Sequence, residues 1–260
     1  MVLHGLSEFA MRILLTNDDG ISCDGIRILA DKLSAEHEVW LVAPDRNRSA
    51  VSNAVTLFEP LCLKKVDERA YTCSGLPADC TINGVYAVMA DNPPDIIISG
   101  INKGGNMGTD LVYSGTAAAA RQAAVMGFPS MAVSLVERND IWNYEPLADF
   151  VLKNLSNLKA MTGKGYFLNI NAASTAPYKG VKFTEPAELT YNDKIELYKA
   201  PDGNLYSFFC GGKEKDDGNE KSDYTAVKQG YISVSPILVH PKSADKCEDF
   251  ANFNDINLKI

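Results

Sequence analysis

The sequence contains few histidines, and this removes several common hydrolytic chemistries. His4, His37 and His240 are the three present among 260 residues. Three are too few for a histidine-rich zinc site, and they make a typical Ser-His-Asp triad a poor match. The G-x-S-x-G motif of many serine hydrolases is also absent from the sequence. Any chemistry in this chain therefore falls to carboxylates, amides and hydroxyl groups.

Paired cysteines, long apolar runs and excess positive charge are also missing. The six cysteines contain no C-x-x-C pair, so we expect reduced thiols and a cytoplasmic location. No apolar run approaches the roughly 18 residues that span a bilayer. Residues 1–10 do not resemble a signal peptide, and we expect them to be an extension without a role in the fold. The net charge of −8 argues against a nucleic-acid polymer as partner.

The most informative segment is the acidic turn Asn17-Asp18-Asp19-Gly20, which follows an apolar run at residues 13–15. Adjacent aspartates in a regular strand face opposite sides, but a turn with Gly20 lets both approach one ligand. In an open α/β sheet, ligands bind at this end of the strand. Two carboxylates there repel one another unless a cation such as Mg²⁺, Mn²⁺ or Ca²⁺ lies between them. An ordinary Asp-Gly turn is the alternative.

Hydrophobic periodicity predicts alternating strands and helices over the first two thirds of the chain. Helical spacing occurs at residues 26–34, 113–126 and 147–158, and short apolar runs typical of buried strands occur at residues 13–15, 38–42, 95–99, 131–135 and 167–170. This alternation is typical of an α/β fold with a doubly wound, mostly parallel sheet. We expect this domain to span residues 11–184.

The pattern changes after residue 184. Two apolar segments at residues 195–198 and 205–209 flank Pro201-Asp202-Gly203, which predicts a β-hairpin. A charged loop at residues 211–222 and a closing strand at residues 231–238 follow. We therefore expect a smaller C-terminal part that contains the hairpin and spans residues 185–260.

Three further polar segments are expected near the acidic turn, because they leave strand ends on the same side of the sheet or cap a helix there. They are residues 45–49, residues 99–108 and Ser114-Gly115-Thr116. A helix N-terminus offers free amides to a phosphate group, although simple N-capping by Ser114 is the alternative. Gly104-Gly105 lacks the ending of a nucleotide P-loop and is not a dinucleotide fingerprint.

Together these segments resemble the signature blocks of the SurE survival-protein family, whose members are metal-dependent nucleoside-monophosphate phosphatases. The resemblance runs in order from Met11 to about Leu238. The matching blocks are Asn17-Asp18-Asp19-Gly20, Ala43-Pro44-Asp45-Arg46-Asn47-Arg48-Ser49, Ser99-Gly100-Ile101-Asn102 with Asn106 and Gly108, and Tyr113-Ser114-Gly115-Thr116, with further matches at residues 75–80, 127–129, 168–171 and 222–238. It implies a Rossmann-like N-terminal domain and a smaller C-terminal part that makes dimer and tetramer contacts.

The resemblance also implies roles for individual residues. Asp18 and Asp19 match the catalytic, metal-binding carboxylates, and Ser49 and Asn102 match the other metal ligands. One divalent cation per subunit is implied, either Mg²⁺, Mn²⁺ or Ca²⁺. The phosphate-facing positions are Asn106, Ser114, Gly115 and Thr116. The sequence departs from the family pattern at Gly105, where proline is usual, and at Leu76, where threonine is usual.

The resemblance implies hydrolysis of nucleoside 5′- or 3′-monophosphates by a homodimer or homotetramer without a membrane partner. We prefer water over an aspartate as the attacking group, because an Asp-x-Asp-x-Thr arrangement is absent from the matched pattern. Two other functions stay open, an exopolyphosphatase and a non-catalytic nucleotide-binding sensor. The hairpin is expected to reach a partner subunit, with packing on its own subunit as the alternative.

Overall fold

The computed structural model describes residues 10–212 and 214–241. The predicted N-terminal extension, apart from Ala10, and the end of the predicted C-terminal part lie outside the described residues. The strands are β1 Arg12–Thr16, β2 Glu38–Pro44, β3 Leu63–Asp67, β4 Ala70–Cys73, β5 Ile96–Lys103, β6 Ser130–Val136, β7 Tyr166–Ala173, β8 Val181–Phe183, β9 Thr190–Tyr191, β10 Lys194–Lys199, β11 Leu205–Cys210, β12 Glu214–Lys215 and β13 Ile232–Leu238. The α-helices are α1 Asp24–Ser34, α2 Pro77–Asn83, α3 Gly115–Val125, α4 Glu145–Met161 and α5 Asp223–Lys228.

Nine of these strands form one sheet in the order β3-β4-β2-β1-β5-β6-β7-β13-β8. The central strands from β4 to β7 are all parallel, while β3 and β13 run antiparallel to β4 and β7 respectively. The prediction of an α/β, doubly wound, mostly parallel sheet is therefore confirmed. The carboxyl ends of β1, β2, β5, β6 and β7 all lie at the same edge of the sheet, which is where the predicted site residues occur.

Helices cover both faces of the sheet, as the buried central strands require. On one face, Ile13 and Leu15 of β1 pack in a core with residues of α1 and α4. On the other face, Leu14 packs with residues of α2 and α3. The even-numbered and odd-numbered side chains of β1 therefore pack against different helices. No described helix combines the length and apolar character needed to cross a membrane.

Several elements differ from the sequence-based expectations. The alanine-rich helix starts at Gly115, because residues Gly108–Val112 form a separate 3₁₀ turn before it. β5 continues past the expected end at residue 99 to Lys103, with a register shift against β6. Elements that were not predicted include β3, β4, β8, β9, α2 and α5. β3 is an exposed edge strand without clear alternation, and α2 has only seven residues, so neither carries a strong periodic signal.

The predicted hairpin is confirmed, since β10 and β11 pair antiparallel from Lys194 opposite Cys210 to Lys199 opposite Leu205. The predicted charged loop contains β12, which pairs with β9. The predicted closing strand is also present as β13, and it lies within the main sheet between β7 and β8. The division at residue 184 stays a prediction.

Candidate active site

The acidic turn after β1 is fixed by the side chain of Asn17, which is fully buried. Its Oδ1 accepts a hydrogen bond from the amide of Gly20 at 3.1 Å, and its Nδ2 donates to the carbonyl of Gly20 at 2.8 Å. Gly20 has a φ of +105°, a conformation that favours glycine. The turn is thereby closed by its first and last residues, and the two aspartates between them are held at the end of β1.

Asp18 is the more buried of the two aspartates, with 4% of its surface exposed. Its carboxylate accepts a hydrogen bond from the hydroxyl of Thr116, in the first turn of α3. Burial, with a smaller contribution from the charge of Asp19, raises the pKa of Asp18 to about 6, while the hydrogen bond from Thr116 opposes the shift. Desolvation disfavours the charged form of a carboxyl group, so this site gains from a nearby positive charge.

Asp19 is held from two sides. Its carboxylate accepts hydrogen bonds from the amide of Lys103 at 3.0 Å and from the Nδ2 of Asn47 at 3.4 Å. Burial raises the pKa of Asp19, and the amide and charge of Lys103 partly offset this. The second aspartate therefore connects the ends of β1, β2 and β5.

The loop after β2 brings Ser49 to the aspartates. The amide of Arg48 donates to the carbonyl of Asp18 at 2.7 Å, and the guanidinium of Arg48 donates to the carbonyl of Ser74 at 2.5 Å. The amide of Ser49 donates to the Oδ1 of Asn47 at 2.9 Å. Ser49 is solvent-exposed, so its hydroxyl is available to a ligand.

Asn102 lies near the end of β5, beside β1. Its Nδ2 donates to the carbonyl of Gly104 at 2.9 Å. The backbone before it needs glycine at position 100, where φ is +132° and a Cβ atom would lie 2.2 Å from the carbonyl oxygen of Val133. The hydrogen bond to Gly104 uses the side-chain nitrogen of Asn102 and so leaves its oxygen for a ligand.

The donor set fits a hard divalent cation. The carboxylates of Asp18 and Asp19, the Oδ1 of Asn102 and the hydroxyl of Ser49 are all oxygen ligands. Within residues 10–212 and 214–241, no three His, Cys, Asp or Glu side chains converge on one point. A site with only two carboxylates and neutral oxygens suits Mg²⁺, Mn²⁺ or Ca²⁺ better than zinc.

The N-terminus of α3 faces this acidic turn. The Oγ of Ser114 accepts a hydrogen bond from the amide of Ala117 at 3.0 Å and caps the helix. A Cβ atom at Gly115 would lie 2.8 Å from the Cβ of Asp18, so only glycine allows the helix to approach this closely. The first helical amides, at Gly115 and Thr116, have no partner within the helix. The amide of Thr116 also stabilises the charged carboxylate of Asp18, and an anion is suited to this helix end once a cation offsets the charge of Asp18.

Asn106 lies on the α3 face of the sheet, over the ends of β6 and β7. Its amide donates to the Oδ1 of Asn171 at 2.8 Å, and its Nδ2 donates to the Oγ of Ser134 at 2.8 Å. Its carbonyl accepts from the Nδ2 groups of Asn169 and Asn171. The side chain therefore has one amide hydrogen left for a ligand.

Sequence reasoning did not assign a role to the residues that hold Asn106. The signal was present, because Asn169 and Asn171 alternate with apolar residues in a buried strand, as does Ser134 in β6. Polar side chains at every second position of a buried strand indicate a polar cluster on one face of the sheet. The structure brings all eight predicted residues to one edge of the sheet, and their individual roles stay predictions.

The fold and the site together define a class of protein, namely an α/β protein in which two carboxylates suited to binding a cation face the N-terminus of a helix. The comparison with known proteins is more specific. The family model described as "Survival protein SurE" matches residues 13–193. The chain therefore belongs to the SurE family.

Individual relatives agree with this assignment. The protein named 5′-nucleotidase SurE from Thermosipho melanesiensis is 43% identical over 238 residues, which cover 88% of this chain and 92% of that protein. The protein of the same name from Petrotoga mobilis is 39% identical over 254 residues, covering 95% and 100%. The crystal structure of the SurE protein from Aquifex aeolicus matches with a TM-score of 0.80 at 32% identity, covering 93% and 99%.

Proposed function

We propose that this chain is a metal-dependent 5′-nucleotidase that hydrolyses nucleoside monophosphates to a nucleoside and phosphate. The observation that carries the proposal is the contact between Asp18 and the first turn of α3. It puts a group suited to a cation directly beside amides suited to a phosphate. The relatives in the SurE family carry the same activity in their names.

Four residues of this chain hold the cation in the proposal, namely Asp18, Asp19, Ser49 and Asn102. A divalent cation at this position supplies the positive charge that polarises the phosphoryl group and lowers the pKa of a bound water. Thr116 orients the carboxylate of Asp18, and the amide of Lys103 orients that of Asp19. These contacts fix the carboxylates before substrate arrives, so little reorganisation is needed during the reaction.

The phosphoryl group is held in the proposal by the N-terminus of α3 and by Asn106. The amides of Gly115 and Thr116 and the hydroxyl of Ser114 point to the developing negative charge. The remaining Nδ2 hydrogen of Asn106 approaches from the β6 side. Water attacks phosphorus and the bond from phosphorus to the nucleoside oxygen breaks. One proton of the water ends on that oxygen, so the products are the nucleoside and phosphate.

We also propose assembly through the hairpin of β10 and β11 and a cytoplasmic location. Seven large apolar or aromatic residues of the hairpin are between 47% and 70% exposed on the single chain. Surfaces of this kind are typical of subunit interfaces, and they favour contact with a partner over packing on the same chain. The described cysteines are all free, as expected for a reducing compartment.

The test is phosphate release from a panel of nucleoside 5′- and 3′-monophosphates and short polyphosphate, with and without chelator. We expect release from the nucleotides only in the presence of a divalent cation. Asp18→Asn or Asp19→Asn should abolish release, whereas Asp31→Asn, at an exposed position of α1, should not. Activity that survives in either site variant at saturating Mn²⁺ would exclude the proposed roles, and release from polyphosphate alone would favour the exopolyphosphatase alternative.

A further inference from the structure

A cavity of about 400 Å³ lies beside Asn106, at the carboxyl ends of β6 and β7. Gly105 and Met107, the two neighbours of Asn106 in the sequence, line it. The remaining lining residues are Asp110, Val136, Glu137, Arg138, Ala173, Glu214, Tyr224, Val227 and Lys228. Pockets of 300–1,000 Å³ are typical of small-molecule sites. None of the proposed metal ligands lines this cavity.

The cavity opens on the same face of the sheet as the phosphate site. In β6, Met131, Val133 and Leu135 pack towards α1 and α4, so Ser134 and Val136 point to the α3 face. Asp18 contacts α3 on that face as well. Adjacent strands lie about 4.8 Å apart, so β6 and β7 lie roughly 10–15 Å from β1. A molecule whose phosphate sits between Asp18 and Asn106 can extend its other end into the cavity.

The lining combines an apolar wall with a polar rim. Met107, Ala173 and Val227 form a buried apolar cluster, against which Val136 and Tyr224 pack. Gly105 packs closely against this wall, because a Cβ atom there would lie 2.8 Å from a methyl group of Val136 and 3.0 Å from the terminal methyl of Met107. A flat aromatic group fits against such a wall.

The rim of the cavity carries both anionic and cationic side chains that can form hydrogen bonds. Asp110, Glu137 and Glu214 supply carboxylates, while Arg138 and Lys228 supply cations. The Tyr224 hydroxyl donates to Glu214 at 2.8 Å, and the Lys228 Nζ lies 5.3 Å from the centre of the Tyr224 ring. Three carboxylates repel a polyanion but accept hydrogen bonds from sugar hydroxyls and base amino groups.

We infer that this cavity is the subsite for the nucleoside part of the substrate, an inference that rests on the proposed nucleotidase function. The base packs against Met107, Val136 and Tyr224, and polar groups at the rim contact the sugar and the base edge. Arg138 forms no ion pair with any residue that the structure describes, so its guanidinium is available as a donor. The acidic rim disfavours a polyphosphate chain in the same place.

The experiment fills the cavity with the variant Val136→Phe and compares it with Val125→Phe, which places the same ring at a half-exposed position in the last turn of α3. Steady-state rates are measured on adenosine 5′-monophosphate and on glycerol 2-phosphate, a phosphomonoester without a base. Calorimetry then measures adenosine binding to the metal-loaded proteins. We expect Val136→Phe to raise KM for the nucleotide at least tenfold and to weaken adenosine binding. The kcat, the rates on glycerol 2-phosphate and every parameter of Val125→Phe should stay within about twofold.

Arg138→Ala is a second variant, in an exposed loop where loss of the side chain does not threaten folding. It should raise KM for the nucleotide several-fold without affecting glycerol 2-phosphate. Equal losses on both substrates in either variant, or adenosine that fails to bind the wild-type protein, would overturn the inference. Wild-type protein that binds adenosine in the cavity but releases no phosphate from any ester would instead refute the proposed function and leave the subsite supported.

Discussion

The hydroxyl of Thr116 donates a hydrogen bond to the carboxylate of Asp18, joining the first turn of α3 to the end of β1. This contact stabilises the charged form of the carboxylate and so lowers its pKa, against a larger effect of burial that raises it. A residue predicted to face the phosphate thus also orients a predicted metal ligand. Thr116 therefore links the proposed phosphate site to the proposed metal site, through a direct contact and through its effect on the pKa of Asp18.

Replacing Thr116 with valine should lower kcat/KM on all nucleoside monophosphates by a similar factor. Loss of the hydroxyl raises the pKa of Asp18 further in the metal-free protein, so protons should compete more strongly with the cation and weaken metal binding at acidic pH. Thr162→Val, at the end of α4, is the control, because the Thr162 hydroxyl only donates to the backbone of Lys159. A loss confined to one base would place Thr116 near the nucleobase and contradict the phosphate assignment.

Asp18→Asn should stabilise the metal-free protein at neutral pH while abolishing turnover. The folded-state pKa of about 6 exceeds the ordinary 3.8, so the folded protein binds this proton more tightly than the unfolded chain. Its stability therefore falls as the pH rises from about 4 to 6, by up to about 3 kcal/mol for a shift of this size. Denaturation with chelator should show a gain of about 3 kcal/mol at pH 7.5 and of only about 1 kcal/mol at pH 4.5. Equal effects at both pH values would contradict this account.

A divalent cation should raise the melting temperature of the wild-type protein. A ligand that binds only the folded state adds about 2.7 kcal/mol at 100 times its dissociation constant. Asn102→Ala should weaken this response, because it removes the proposed Oδ1 ligand. Asn154→Ala is the matched control, since the Asn154 side chain donates only to the backbone of Phe150 in α4. Identical metal-induced shifts in wild type and Asn102→Ala would remove Asn102 from the ligand set.

Leu76→Thr should raise the free energy of unfolding by about 0.5–1 kcal/mol with little change in turnover. Leu76 is the N-cap of α2 and offers no acceptor, although the side chain of Asp79 already accepts a hydrogen bond from its amide at 2.9 Å. The hydroxyl of a threonine at position 76 would accept a hydrogen bond from the amide of Asp79, so that residues 76 and 79 would cap one another. Urea denaturation measures the difference, and a destabilised variant would show that packing of the leucine outweighs the cap.

Phe209→Asp in the hairpin should convert the assembled protein to monomers in light scattering and weaken its activity. Phe209 is 70% exposed on the single chain, and a buried charge at an interface is costly. Phe58→Asp serves as control, because Phe58 is 96% exposed in a loop outside the hairpin. A wild-type protein that is monomeric, or a deletion of residues 195–209 that stays dimeric, would refute exchange of the hairpin.

Local patterns were sufficient to predict the central sheet and the positions of the site loops. Runs such as residues 13–15 and 95–99 are buried on both faces, and the ends of parallel strands meet at one edge of the sheet. The hydrogen bonds between loops could not be predicted, because they depend on side-chain directions set by the assembled sheet. The Thr116 contact spans 98 residues, and the contact between Asn106 and Asn171 spans 65.

Elements with weak periodicity were the ones missed. β3 and β4 are short and mostly exposed or half-buried, and α2 begins after Leu76, which is not a typical cap. The position of β13 within the main sheet follows from pairing with β7 across more than 60 residues of sequence. Pairing between strands so far apart in the sequence produces no local sequence pattern from which it could be predicted.

The position of β13 also means that β7 gains its second neighbouring strand late in synthesis. Ser233 and Ser235 of β13 lie opposite Asn171 and Asn169 of β7, the two asparagines that hold Asn106. A growing chain that ends before Ile232 leaves β7 as an open edge, with its polar face without a neighbouring strand. This strand, the last one among the described residues, thus secures groups that were translated long before it, and the support for Asn106 is incomplete until it has been made.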